Sequence, residues 1–341
     1  LAIALVVMCG VGTYIMFLTT LGALRATQDS YYREYRFADV FSTLKRAPES
    51  MRQRVQDIAG VDQVETRVMV QVRLDIPTFT EPVTGLMVSM SDNGTHSLNA
   101  LYLREGRLPE PDRPDEVVVS TPFAQAHGLQ LGDHFHAILN GRRQALTLVG
   151  TALSPEFIQQ LRPGSAFPDY KRFGVMWMAR HPLGQAYDMQ GAFNDLALSL
   201  RPGVDTQFVI DRIDELLQPY GGLGAYARKD QRSHRFLSQE LQQLGTLASL
   251  FPAMFMGIAA FLLNVVIGRL VAMQREQVAT LKTFGYSNFA VLLHYLKMVL
   301  VIVSLGIIGG TALGAWLGKE LKLEGFKDGY AMRRYIVGAI F

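Results

Sequence analysis

Few side chains in this sequence are spaced for chemistry. His134 and His136 in "GDHFHAIL" alternate along an apolar stretch, so on a strand both face one side, where two imidazoles can share a metal ion. No third ligand accompanies them, and they read as an ordinary pair on a surface strand. Ser154 in "LSPEF" lacks the Gly-x-Ser-x-Gly turn that exposes a nucleophile, and no His or Asp can be assigned to it. It reads as the cap of a short helix, with Glu156 near that helix's positive end. "YGGLGAY" (220–226) is rich in glycine but has neither the Lys nor the hydroxyl of a loop that cradles phosphates, so it reads as a turn. The single Cys9 supports neither a disulfide framework nor a thiolate metal site. The expectation is a chain that is not an enzyme, with no catalytic residue, cofactor or metal of its own.

The elements that would position any function are dominated by apolar runs. Of 341 residues, 49% are hydrophobic, and they are unevenly placed. Leu1–Leu24 carries no charge, and Leu241–Ile267 and Met298–Gly318 are two further apolar segments. Each is long enough to cross about 30 Å of hydrocarbon, which takes roughly 18–20 residues. The predicted order is a first membrane helix (1–24), a large domain (25–240), a second membrane helix (241–267), a short loop (268–288), a third membrane helix (289–318) and a tail (319–341). The tail ends in "YIVGAIF", which reads as the opening of a fourth helix. Leu1–Leu24 has no Met or basic start, so it is not read as a secretory signal and the chain is not expected to begin at its natural start.

The formal net charge of +3 hides a distribution. Residues 25–240 hold 24 Lys/Arg against 26 Asp/Glu, and no basic stripe marks a nucleic-acid partner. Residues 268–297, between the charge-free runs, hold Arg269, Arg275, Lys282 and Lys297 against Glu276 alone, and the tail holds five basic residues against three acidic ones. Four basic residues on one side and five on the other leave the membrane orientation undecided by charge. The apolar runs Leu1–Leu24, Leu241–Ile267 and Met298–Gly318 contain no acid or base, and Asn264 is their main polar group. They would give a charged solute little to hold.

The loop between the last two spans is written as a helix. Leu270, Met273, Val278, Leu281 and Phe284 form an apolar side, while Arg275, Glu276 and Lys282 point away from much of it. Gly285 can take the left-handed conformation that stops a helix, and Ser287 or Asn288 can cap the next one. The periodicity fits a helix that transmits a push and equally one that lies on lipid. In the third span Gly306, Gly310, Gly314 and Gly318 recur every fourth residue, a flat stripe for close helix packing. Its neighbour is either in the same chain or in a dimer partner.

In the large domain, residues 38–76 read as strand, helix, strand, with Pro48 in the helix's first turn, Gly60 at its end and Val64–Ile76 as one long strand. Residues 193–228 repeat that order: strand 193–200, helix 205–218, strand 223–228. The fold class is an α-helical transmembrane region plus an α+β domain, whose two βαβ-like halves make an open sandwich split by a β-rich insertion (about 83–180). "LYLREGRLPEPDRPDEV" reads as a solvated hairpin. Arg228–Ile267 reads as one helix, a stalk joining the domain to the membrane.

"QREQVATLKTFGYSNFAVLLHYLK" (274–297) resembles the signature of FtsX/MacB-type ABC transporter permeases, and "GRLPEPDRPDEVVVS", "HGLQLGD" and "TLVGTALSPEFIQQLRPGSAFPD" resemble the extracytoplasmic domain of one bacterial subgroup. The likeness covers nearly the whole chain. It implies a multi-pass protein of the bacterial inner membrane whose large domain is extracytoplasmic, with a porter-plus-insert arrangement, and whose loop is a cytoplasmic coupling helix. Met273, Arg275, Glu276, Lys282, Thr283, Phe284, Gly285 and Tyr286 would then meet a separate ABC ATPase subunit, which binds ATP and Mg²⁺. The expected function is that of a permease subunit handling a lipid, lipoprotein or hydrophobic compound; the alternative is an FtsX-like regulator of an extracytoplasmic enzyme such as a cell-wall hydrolase. The expected partners are the ATPase, a second permease half or dimer partner, membrane lipids and an extracytoplasmic protein, with no nucleic acid. Nothing in the sequence repeats, so the chain reads as a first half or a fragment.

Overall fold

The computed structural model describes residues 2–77, 79–91, 98–162, 164–165 and 167–326. The expected fourth helix, in the tail beyond residue 326, lies outside the described residues. Asp29–Leu237 forms one compact unit; the described residues before and after it form the other.

The chain opens with α1 (Ala2–Glu34). The large domain begins with β1 (Val40–Pro48), α2 (Met51–Gln56) and β2 (Val61–Arg67). An insertion follows: β3 (Met69–Asp75), β4 (Val83–Met90), β5 (Tyr102–Gly106), β6 (Glu116–Ser120), α3 (Thr121–His127), β7 (His134–Leu139), β8 (Arg142–Leu153), β9 (Phe173–Ala179) and α4 (Arg180–Ala186). The domain closes with β10 (Ala192–Leu200), α5 (Thr206–Leu217) and β11 (Ala225–Ala227). Then come α6 (Arg232–Met273), α7 (Arg275–Thr283) and α8 (Asn288–Phe326). Among the described residues three helices, α1, α6 and α8, are long and apolar enough to cross a membrane.

The two outer βαβ segments interleave into one antiparallel sheet, in the order β11-β1-β10-β2. α5 is capped by Asp205, whose side chain accepts from the Gln207 N–H at 3.0 Å, and it buries Val209, Ile210, Ile213 and Leu217. Those residues pack with Val40, Leu44, Val55, Val64, Leu196 and Leu198 into one core. A second cluster is built by Tyr32, Phe37, Phe41 and Ala197. Because Ala197 alternates with Leu196 and Leu198, β10 is buried on both faces.

The β-rich insertion is a closed barrel. Its strands run β5-β8-β6-β9-β4-β3-β7, and β7 also pairs with β8, so the sheet closes on itself with β5 outside the ring. β7 shows the alternation: Phe135, Ala137 and Leu139 are buried, while His134, His136 and Ile138 are not. The inward side chains join Val72, Met87, Val119, Leu148 and Met176 in a core that needs no second layer.

Several boundaries differ from the sequence reading. Val64–Ile76 is two strands in two sheets, so the insertion starts at Met69. The Asn194 side chain donates to the Met69 C=O and accepts from its N–H, both at 2.8 Å, and Ser89 Oγ accepts from the Val68 N–H at 2.8 Å. These side chains satisfy the backbone where the ladder with β10 ends and let the chain pass into the barrel. Pro48 ends β1, pairing with Ala192, and does not start α2. Gly60 lies past the α2 cap at Asp57, at φ +97°, where an added Cβ would meet Val204 Cγ1 at 2.4 Å. Only glycine fits that turn. β5 and β6 are not a hairpin: each pairs with β8. The polar link between them is drawn in by Arg107, which donates to both oxygens of Glu116 at 2.7 and 2.5 Å.

Candidate functional site: the α7 segment and its supports

α7 is separated from α6 by one residue. Gln274 leaves helical geometry (φ −97°, ψ 17°), so Leu270 and Met273 belong to the end of α6 and the apolar side expected over 270–284 is split. Val278 and Leu281 remain on α7, and Phe284 is its C-cap. Tyr295 on α8 donates its hydroxyl to Gln274 Oε1 at 2.8 Å, tying this break to the next span. The far end closes as the glycine predicted. The Tyr286 N–H donates to the Leu281 C=O at 3.2 Å and the Gly285 N–H to the Lys282 C=O at 3.0 Å, with Gly285 at φ +87°. This is a complete Schellman cap. Ser287 Oγ then accepts from the Ala290 N–H at 3.2 Å and starts α8.

α7 buries none of its residues in this chain. Met273, Leu281, Phe284, Tyr286 and Phe289 are all exposed, Met273 and Phe284 at 78%. Arg275, Glu276, Lys282 and Thr283 are exposed with them, although the Thr283 hydroxyl donates to the Thr280 C=O at 2.7 Å. The segment is a short, capped helix carrying both charge and apolar surface.

The glycine stripe of α8 lies against α1. An added Cβ at Gly306 would meet Val7 Cβ at 2.8 Å, at Gly310 the Met8 C=O oxygen at 2.7 Å, at Gly314 the Gly12 C=O oxygen at 2.5 Å, and at Gly318 Thr19 Oγ1 at 3.0 Å. The neighbour that the sequence left open is therefore in the same chain. On α1, Gly12 faces Gly310, and Gly10 faces α6, where a Cβ would meet Phe255 Cβ at 3.0 Å. Small residues on both helices let the backbones approach. Ile3, Val7 and Ala259 are buried where α1, α6 and α8 meet, with Leu263 and Ile302 packed on them.

The expected stalk begins at Arg232, because residues 228–230 form a separate 3-10 turn. Gln231 caps the helix, its Oε1 accepting from the His234 N–H at 2.8 Å. α6 then runs 42 residues through Pro252.

The root of α6 is fastened to a buried polar cluster that the sequence reading missed. Gln231 Nε2 donates to the Glu156 C=O at 2.7 Å, and Ser233 Oγ accepts from the Gln159 N–H at 2.9 Å. Ser154 caps the 3-10 turn Pro155–Phe157 by accepting from the Glu156 N–H at 3.3 Å. That turn delivers the Glu156 carboxylate to Arg67, at 2.5 and 3.0 Å. Arg67 also donates to Asp195 Oδ1 at 2.8 and 2.6 Å, across the β2–β10 register. Asn99 Nδ2 donates to Glu156 Oε2 at 2.9 Å. One guanidinium thus faces two carboxylates, all with side chains 7% exposed or less. Burial pushes the Asp195 carboxyl up to about 6, Glu156 adding to the rise and Arg67 opposing it. Burial works against the Arg67 charge, but Asp195 and Glu156 hold its pKa above the ordinary value. A charge embedded in an apolar run, as in "VETRVMV" and "FNDLALSL", was the available signal.

His134 and His136 lie on the outer side of β7, and His134 Nδ1 is 3.1 Å from Thr147 Oγ1. Among the described residues no three His, Cys, Asp or Glu side chains are grouped to hold a metal ion.

None of the curated proteins matches the chain. Among solved structures, it is similar to the extracellular domain of the noncanonic ABC-type transporter YknZ from Gram-positive bacteria, at 10% identity over 56% of this chain and 98% of that one, with a TM-score of 0.36. It is also similar to the periplasmic region of MacB from Actinobacillus actinomycetemcomitans, at 10% identity over 63% of this chain and 98% of that one, with a TM-score of 0.36. The family model for the FtsX-like permease C-terminal region matches residues 249–339, the stretch holding most of α6 beyond its root, the capped α7 and the glycine-striped α8. Residues 249–339 are thus similar to the C-terminal region of FtsX-like permeases.

Proposed function

We propose that this chain is the membrane subunit of an ABC-type complex, in which α7 and its flanks couple a separate ATPase to movement of the large domain. The observation that carries this reading is α7 itself. It is held between two long apolar helices, stopped by a Schellman cap, fastened to α8 through Tyr295 and left without a buried residue. A short helix so fixed moves with both spans, and its bare surface fits a protein groove better than water. Arg275, Glu276 and Lys282 supply the polar contacts, and Met273, Phe284 and Tyr286 the apolar anchors. In this reading the chain is not catalytic, and its partner binds ATP and Mg²⁺. The protein is multi-pass in a bacterial inner membrane, and the domain lies outside, where it engages a lipid, lipoprotein or hydrophobic compound.

The test is co-purification with the candidate ATPase, using Glu276→Lys and Lys282→Glu. The expected result is weakened association and loss of stimulated ATPase activity in each, with membrane insertion intact. Association and stimulation equal to the parent in both variants would remove α7 from the coupling role.

A further inference from the structure

A groove of about 670 Å³ opens in the Asp29–Leu237 unit beside the end of α1, lined by Asp29, Tyr32, Arg33, Arg36, Asp62 and Arg228 among others. The Arg228 guanidinium is committed: it donates to the Phe37 and Ala38 carbonyls and pairs with Asp39 at 2.6 Å. The other charges are not. Among the described residues the Asp29, Arg33 and Arg36 side chains have no hydrogen-bond or ion-pair partner, although Asp29 and Arg33 stand four residues apart on one helix. Asp62 has only the Ser199 hydroxyl, at 3.4 Å. Two cations and two anions therefore line one groove without an opposite charge bound to any of them.

The backbone at Arg36 adds an independent observation. α1 ends in the same kind of cap as α7: the Phe37 N–H donates to the Tyr32 C=O at 2.9 Å and the Arg36 N–H to the Arg33 C=O at 3.3 Å. In α7 the left-handed residue of that cap is Gly285. In α1 it is Arg36, at φ +48°. An L side chain is disfavoured there, and glycine would fit at no steric cost. A strained position that keeps a long cation, in a groove, points to a task for the cation.

We infer that this groove binds a zwitterionic phosphate ester with a primary ammonium, the ethanolamine-phosphate group. Arg33 and Arg36 take the phosphate oxygens, and Asp29 and Asp62 take the ammonium. A plain anion would leave both carboxylates facing it, and a plain cation both arginines. The inference deepens the reading of a lipid-handling subunit and rests on it for the lipid source; the same chemistry is carried by a soluble ester.

The experiment is calorimetric titration of the full chain in a non-ionic detergent. The probe is O-phosphorylethanolamine, compared with phosphorylcholine, inorganic phosphate, ethanolamine and glycylglycine. The expected order places phosphorylethanolamine on the order of tenfold tighter than every comparator, with a similar loss in Arg33→Ala, Arg36→Gly and Asp62→Asn. Arg36→Gly is the decisive variant. Glycine relieves the left-handed backbone, so its unfolding temperature should hold or rise while binding falls. Dihexanoyl phosphatidylethanolamine is the second arm: tighter binding than the soluble ester names the membrane as the source, and equal binding names the soluble ester. Undetectable binding by the parent, equal binding of phosphorylcholine or glycylglycine, or parent-like binding by Arg36→Gly overturns the inference. None of these outcomes touches association with the ATPase, so this site and the coupling role fail separately.

Discussion

Arg67 Nη2 lies 2.6 Å from Asp195 Oδ1, inside the large domain, with Glu156 held on the other arm of the same guanidinium. The pair joins β2 to β10, and Glu156 extends the link to the turn that holds the root of α6. Removing the cation leaves two buried carboxylates facing each other. Arg67→Met is expected to destabilise the protein by about 3–5 kcal/mol, the usual cost of stranding a buried charge. Denaturant unfolding of the purified chain measures it.

The same cluster sets a pH dependence. Burial raises the Asp195 pKa from 3.8 to about 6, so the folded protein holds a proton that the unfolded chain releases. The stabilising contribution of that proton is fully present below the unfolded value and is lost as pH rises through about 6. The large domain is therefore expected to unfold at higher temperature at pH 5 than at pH 7.5. Asp195→Asn keeps an oxygen for Arg67 and removes the titration. Its unfolding temperature should change less over that interval, and a slope equal to the parent's would assign the titration elsewhere.

The close approach of α1 and α8 gives a test with an internal control. A Cβ at Gly314 would meet the Gly12 C=O oxygen at 2.5 Å, and one at Gly257 on α6 would meet nothing within 4 Å. Gly314→Leu is expected to cost about 1–3 kcal/mol through overpacking. Gly257→Leu should leave thermal stability in detergent within the parent's range. Equal melting of both variants would mean that the stripe is not a tight contact.

The cap of α7 can be tested without steric damage. A Cβ at Gly285 meets nothing within 4 Å, so the cost of replacing it is conformational. Gly285→Val should cost about 1–2 kcal/mol for forcing a branched residue into the left-handed region, and Gly285→Asn less, since Asn visits that region. Stimulated ATPase activity of the partner should fall with Val and be largely kept with Asn. The reverse order would mean that cap geometry does not matter.

Continuity of α6 carries the last prediction. Gln242→Pro removes a helical hydrogen bond and clashes with the preceding turn, about 3 kcal/mol or more. Insertion and basal ATPase activity should persist while the cellular output fails; Gln242→Ala should behave like the parent. Full output from the Pro variant would mean that motion does not travel along this helix.

Much of the local structure was already legible in the residues. Charge-free runs mark α1, α6 and α8, because hydrocarbon thickness sets their length. Asp205 before Val209, Ile213 and Leu217 announces α5, and Gly285 before Ser287 announces the end of α7, because caps depend on side chains one turn away. What needed tertiary structure was every pairing between distant segments. Val64–Ile76 looks like one strand because its alternation continues through Val68, and only Asn194, more than a hundred residues on, ends its ladder. The β3–β7 pairing that closes the barrel sets Leu74 opposite Ala137 and leaves no trace in either strand's own pattern. Arg67, Glu156 and Asp195 are ordinary charges in sequence, and burial makes them one group. The stripe from Gly306 to Gly318 advertises a close neighbour, but spacing on one helix cannot say which helix fills it; that was decided by Gly12 of α1 fitting where a side chain could not.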